Sequence, residues 1–224
     1  MEVDDASPIS ESDLQDVKSL KIIGGTHAAI NSTLNAYNST AGYRIGDTLY
    51  TERGEIKRLD DLVHFKNLKR LTICYNQISE ISGLADLTKL ETLGRYFNDI
   101  SNISVISSLQ NLRYLYLYYN KISDLSPLSS LKNLRSLYIQ NNMVQDLSSL
   151  EGLQELTELS INANQVSDIA SLSSLKNLRF FSANNNVIED LSSLKSLKNL
   201  TDVSLSGNPV KDYAPLGHVE KVKK

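Results

Sequence analysis

The sequence predicts an α/β solenoid, a curved right-handed coil with a parallel β-sheet on its concave face and 3₁₀ or extended turns on its convex face. Three observations in the 224 residues predict it. Asparagine recurs at 76, 98, 120, 142, 164, 186 and 208, a spacing of 22 without a slip. Around each lies the pattern L-x-x-L-x-x-L-x-x-L-x-[LI]-x-x-N-x-[IV]-x-x-[IL], complete in Leu128, Leu131, Leu134, Leu137, Ile139, Asn142, Val144 and Leu147. Within it, Leu115-x-Leu117 and Leu137-x-Ile139 alternate with period two, which is how a short strand with two inward residues reads. A fixed period in this range marks stacked repeats, because one unit cannot bury its apolar face alone.

The order of elements follows from each unit. The alternating pair gives the strand, and the Leu-x-x-Leu steps are too few for a packed α-helix, so they form 3₁₀ or extended turns on the outside. Stacking about nine coils buries six to eight apolar side chains per coil, a gross driving force on the order of ten kcal/mol each before entropy is subtracted. The asparagine stands where the chain leaves the strand. A buried amide there can donate to and accept from the backbone of adjacent coils, whose unpaired groups would otherwise cost about 1–3 kcal/mol each.

The ends are less regular. Leu49, Thr51, Gly54, Ile56, Leu59, Leu62 and Phe65 read as a coil with Gly54 in the asparagine position, and Leu14, Val17, Leu20, Ile22 and Gly25 as an earlier one. Leu20 and Leu49 lie 29 residues apart, so seven extra residues are expected within about 30–47. The expected organisation is an irregular N-terminal coil and cap over 1–48, a solenoid over 49–218 and a truncated or minimal end over 219–224, with the next strand beginning near 225. The short ending points to a longer parent protein.

Composition narrows the function. A formal charge of −3 supplies no basic face for nucleic acid, and no apolar run is long enough to insert into a membrane. The single cysteine, Cys74, can form neither an intramolecular disulfide nor a cysteine cage for a metal. Met1 to Asp5 lack the basic start and apolar stretch of a secretory signal. His27, His64 and His218 lie on distant coils, and no Walker loop or G-x-G-x-x-G occurs, so neither catalysis nor a cofactor is expected.

These repeats resemble the 22-residue subtype of leucine-rich repeats shared by bacterial internalins and the eukaryotic regulatory subunit of protein phosphatase one. Ile122-Ser123-Asp124-Leu125-Ser126-Pro127-Leu128 and Asp212-Tyr213-Ala214-Pro215-Leu216 look most like the bacterial version, and the resemblance covers roughly 49–218. It implies a monomeric protein-binding module, on the bacterial surface or secreted. An intracellular scaffold and a structural spacer are the alternatives.

The chemistry then lies in the variable strand residues, which alternate outward onto the concave face. The outward and rim positions hold Tyr75, Tyr96, Phe97, Tyr114, Tyr116, Tyr118, Tyr119, Tyr138, Gln140 and Phe180, and seven of the eleven tyrosines fall in four adjacent coils. Rings on strands about 4.8 Å apart should touch as one patch. Tyrosine favours strands in general, but that preference would spread it evenly, whereas the later coils carry serine, asparagine and alanine. A contiguous exposed aromatic area is expected to hold a partner protein. Arg95 is the anomaly, an inward charge between Ile73 and Leu117, expected to be accommodated by distortion or by snorkelling along its stem. Asp124, Asp146, Asp168, Asp190 and Asp212, preceded by Glu80, are expected to cap the convex turns.

Overall fold

The computed structural model describes residues 16–23, 27–30, 36–39, 42–45, 48–50, 54–57 and 59–224. Nine parallel strands step through it: β1 Ser19–Ile23, β6 Arg70–Cys74, β7 Thr92–Gly94, β8 Tyr114–Tyr116, β9 Ser136–Tyr138, β10 Glu158–Ser160, β11 Phe180–Ser182, β12 Asp202–Ser204 and β13 Lys221–Lys223. Between strands the chain returns through 3₁₀ turns such as Ser126–Leu128 and Ser148–Leu150. The strands are short, five residues in β1 and β6 and three in the others, because few residues alternate before the coil must turn. The register is strict: Leu93, Leu115, Leu137, Leu159, Phe181 and Val203 are successive partners, so the inward column is continuous. That column and the convex leucines form one core in which nearly every member is fully buried.

The asparagines hold the corner of each coil. Asn142 Oδ1 accepts from Ile122 N at 3.0 Å, and its Nδ2 donates to Leu117 O and Ile139 O, each at 3.0 Å. Asn164 and Asn186 repeat this with Val144, Ile139 and Ile161, and with Val166, Ile161 and Ala183. One amide thus satisfies backbone groups on two coils, as the sequence requires. A second asparagine column on the convex corner, not singled out from the sequence, works likewise: Asn111, Asn133, Asn177 and Asn199 donate to Thr88 O, Gln110 O, Gln154 O and Lys176 O.

The carboxylate column caps the turns. Asp124 Oδ1 accepts from Ser126 N at 2.8 Å while Oδ2 accepts from Ser126 Oγ at 2.9 Å. Asp146 and Asp190 do the same with Ser148 and Ser192, Asp168 and Asp212 cap Ala170 N and Ala214 N, and Asn102 fills the place in its coil.

Two sequence expectations are corrected at the ends. β1 pairs directly with β6, Leu20 opposite Leu71, so 51 residues separate neighbouring rungs where the repeat has 22. The insertion is therefore 29 residues, not seven, and no coil opens at Leu49. β5 Thr48–Tyr50 belongs instead to a separate antiparallel sheet with β3 Ala36–Ser39 and β4 Gly42–Ile45, while β2 His27–Ile30 pairs antiparallel with β1 at the edge of the main sheet. Only the later half of the supposed coil is repeat-like: Gly54 N donates to Tyr75 O, and Ile56 O accepts from Gln77 N. At the other end β13 comes at Lys221, earlier than residue 225, because the last coil runs from Leu216 through Val219 straight into the strand and omits one Leu-x-x step. Of the expected first coil, Leu14 and Gly25 lie outside the described residues.

Candidate protein-binding surface

The sheet face divides into an aromatic half and a polar half. After each strand from β6 to β12 the chain enters the left-handed region at one fixed column: Tyr75, Phe97, Tyr119, Asn141, Ala163, Asn185 and Gly207 have φ between 51° and 75°. The backbone turns there so that the following asparagine can point inward. Any residue with a Cβ is strained at such a φ by about 1–2 kcal/mol, with asparagine the least disfavoured and glycine free of the penalty. Three of the seven positions nevertheless carry aromatic rings, and these stack. Tyr75 and Phe97 have centroids 4.5 Å apart at 13°, and Phe97 and Tyr119 are 4.2 Å apart at 12°.

A second, shorter stack stands beside the first. Tyr96 and Tyr118 lie 4.4 Å apart at 11°, and edge contacts of 6.0–6.3 Å join them to Phe97 and Tyr119. Gly94 makes room for this arrangement, because a Cβ there would come within 3.1 Å of Thr72 Oγ1 and 3.4 Å of Tyr96 Cε1. The outcome is a five-ring cluster. With centroids this close, no group can enter between stacked rings, so the cluster offers ring edges and terminal faces.

The expected single patch is not what forms. Tyr116 and Tyr138 make a separate pair, 5.3 Å apart and tilted by 32°, while Tyr114 and Phe180 stand apart from both groups. Tyr114 is exposed and Phe180 half-buried. Tyr75, expected at an open rim, is only 5 % exposed and supports Phe97 from below. Gln140 follows Tyr118 in its column, and its Oε1 is buried without a hydrogen-bond partner.

Glu158 sits beyond the Tyr116–Tyr138 pair. Its Oε2 accepts from Tyr138 Oη at 2.9 Å and from Ser136 Oγ at 3.1 Å. Burial raises the pKa of both Tyr138 and Tyr116, and the Glu158 charge raises each further, so both phenols remain protonated donors. A depression of about 400 Å³ opens beside the carboxylate, walled by Tyr114, Arg135, Ser136, Glu155, Thr157 and Arg179 among others. Arg135 there is engaged by Glu155 at 3.8 Å.

The later coils spend their polar groups internally. Asn162 Oδ1 accepts from Ser182 Oγ and Asn184 N at 2.7 Å each, and Asn184 Oδ1 from Ser204 Oγ and Ser206 N at 2.8 Å each. This is a satisfied asparagine ladder.

Two inward or covered groups complete the picture. Arg95 does not snorkel: it is 0 % exposed, and its Nε, Nη1 and Nη2 lack hydrogen-bond partners. Burial lowers its proton affinity below the usual guanidinium range. Cys74 is buried, with its thiol toward Ile22 O at 3.9 Å and its pKa pushed up to about 12 by desolvation. His218 binds Leu197 O, and the side chain of His27 lies outside the described residues. Among the described residues, no three His, Cys, Asp or Glu side chains are grouped to hold a metal, and no helix is long and apolar enough to cross a membrane.

Residues 95–130, 132–174 and 176–218 match the family model for leucine-rich repeats in two copies. The fold is similar to that of internalin C2 (inlC2) of Listeria monocytogenes, with 29 % identity and a TM-score of 0.78 over 96 % of this chain and 83 % of that one. It is also similar to an internalin (inlF) of Listeria monocytogenes, with 30 % identity and a TM-score of 0.69 over 75 % of this chain; the match spans 57 % of that protein's length. A leucine-rich repeat protein of Leptospira interrogans, 24 % identical, shares the fold with a TM-score of 0.70 over 77 % of this chain and 47 % of that one. No curated protein matches the sequence significantly. The matched repeats cover more than half of the chain, which belongs to the leucine-rich repeat family, with repeats of the internalin type.

Proposed function

We propose that this solenoid binds a partner protein through the aromatic half of its sheet face, with Tyr96, Phe97, Tyr118 and Tyr119 as the central contacts and Tyr114, Tyr116, Tyr138 and Gln140 beside them. Leucine-rich repeat solenoids are protein–protein interaction scaffolds, and the internalin-type repeats favour a bacterial surface or secreted setting. The observation that carries the assignment is the placement of Tyr75, Phe97 and Tyr119 at left-handed positions. A general preference of tyrosine for strands does not account for rings there, since these residues lie outside the strands and the column elsewhere holds asparagine, glycine or, at Ala163, a small side chain. Strain of this kind concentrates where function demands a particular side chain.

The test exchanges rings for residues the fold already uses at the same columns. Tyr118→Ser with Tyr119→Asn places in coil four what Ser206 and Asn141 provide elsewhere. A partner captured by photo-crosslinking from position 118, and not from Val187, should lose more than about a hundredfold in affinity for the double variant. Unchanged affinity, or equal crosslinking from both positions, overturns the proposal.

A further inference from the structure

The carboxylate of Glu158 is a fixed negative charge at the margin of the aromatic surface. Tyr138 and Ser136 both donate to Oε2, which fills the two lone-pair directions of that oxygen. Among the described residues, none donates a hydrogen bond to Oε1 and none forms an ion pair with Glu158. Neither arginine lining the depression pairs with Glu158: Arg135 pairs with Glu155, and Arg179 forms no ion pair with Glu158. Two donors on one oxygen lock the rotamer, so the carboxylate is held in place before any ligand arrives. A glutamine could accept from both hydroxyls, so the two hydrogen bonds do not by themselves require a charge at this position.

Tyr116 and Tyr138 are register partners, and Glu158, opposite Ser136 on the next strand, reaches diagonally to the Tyr138 hydroxyl, so ring, ring and carboxylate form an oblique row. The row spans two strand spacings, about 10 Å. A long aliphatic stem can lie across the two rings with its cationic head at Oε1, gaining apolar contact along the stem as well as the charged hydrogen bond. Because Oε2 is saturated, the carboxylate cannot receive a guanidinium fork through both oxygens, and a compact ammonium fits better. We infer that Glu158 is the specificity point of the surface and receives a basic side chain, preferentially a lysine, of the bound partner, its stem laid over Tyr116 and Tyr138. This rests on the sheet face being the binding surface.

The experiment selects a displayed random-peptide library on the intact wild-type protein and compares the recovered peptides on variants. Glu158→Gln removes the charge but keeps an acceptor for Tyr138 and Ser136, and its unfolding midpoint should stay near that of the wild type; Glu155→Gln removes the neighbouring charge as a control. The inference predicts that peptides dependent on Tyr118 and Tyr119 share a lysine, or less often an arginine. It further predicts that their affinity falls about ten- to hundredfold on Glu158→Gln, as expected for one charged hydrogen bond, and stays within about twofold on Glu155→Gln. Peptides that need the rings but share no basic residue, or bind Glu158→Gln as tightly as wild type, overturn the role of Glu158 and leave the aromatic surface standing. Recovery only of peptides indifferent to Tyr118→Ser with Tyr119→Asn overturns the surface itself, and this inference with it.

Discussion

The Phe97 ring lies 4.2 Å from the Tyr119 ring at an angle of 12°, and both residues hold φ at 56°. Stacking returns about 0.5–1.5 kcal/mol per pair, while each left-handed backbone costs about 1–2 kcal/mol. The two nearly cancel, so the rings add little to folding.

Phe97→Asn and Tyr119→Asn should accordingly each change stability by less than about 1 kcal/mol, because asparagine tolerates the backbone while the stack is lost. Leu117→Ala, two residues before Tyr119 and fully buried, should cost about 2–5 kcal/mol. Urea titrations of the three variants decide it. A loss at position 97 or 119 as large as that at 117 would make the rings part of the core.

Asn142 binds one N–H and two carbonyl groups on two coils, and the residue is 9 % exposed. Asn142→Ala strands Ile122 N in an apolar interior, at about 1–3 kcal/mol for the unpaired group, and leaves Leu117 O and Ile139 O with the amides of Asn120 and Asn164. The unfolding midpoint should drop by roughly 5–10 °C for a chain of this size. An unchanged midpoint in calorimetry would mean that the ladder is dispensable.

How much of this was legible in the sequence depended on periodicity. Leu137, Ile139 and Asn142 announce their places because every coil repeats the same burial problem, and the solution recurs at 22 residues. The insertion between Ile23 and Gly54 has no such period, and Leu49-x-Thr51 imitates a repeat strand over a stretch too short to discriminate. The concave rings were visible as composition, but not their grouping. Tyr96 reaches Tyr118 across the space left by Gly94, and Tyr116 leans toward Tyr138 and Glu158, both of which depend on side-chain direction and not on spacing. The left-handed column had one sequence signal, Asn141, Asn185 and Gly207 at the positions of Phe97 and Tyr119 in other coils.

Arg95 occupies the inward position that Ile73 and Leu117 fill in the neighbouring coils. Its three guanidinium nitrogens are buried without partners, and at neutral pH the group still carries its charge. Replacing a buried charge with an apolar side chain of similar volume typically stabilises by about 1–4 kcal/mol. Arg95→Leu should therefore raise the thermal midpoint by several degrees, and a lowered midpoint would show that the guanidinium has a binding partner in solution.

Acid sensitivity follows from the convex caps. Hydrogen bonds from Ser148 N and Oγ hold the Asp146 carboxyl below the usual range, and Ser192 does the same for Asp190. A carboxyl whose folded-state pKa is depressed contributes stability that is complete above its unfolded value, about 3.9, and is lost as pH falls through the folded value. The caps thus weaken below about pH 4 and are indifferent to pH near neutrality. Asp146→Asn with Asp190→Asn keeps an oxygen for each backbone N–H but has no charge to titrate. Between about pH 4 and pH 2, the midpoint of the double variant should fall less steeply than that of the wild type, with Glu91 and Asp202, whose pKa values are also lowered by hydrogen bonds, accounting for part of the slope that remains. Superimposable acid limbs in the two proteins would show that these carboxylates cap the turns without contributing charge-dependent stability.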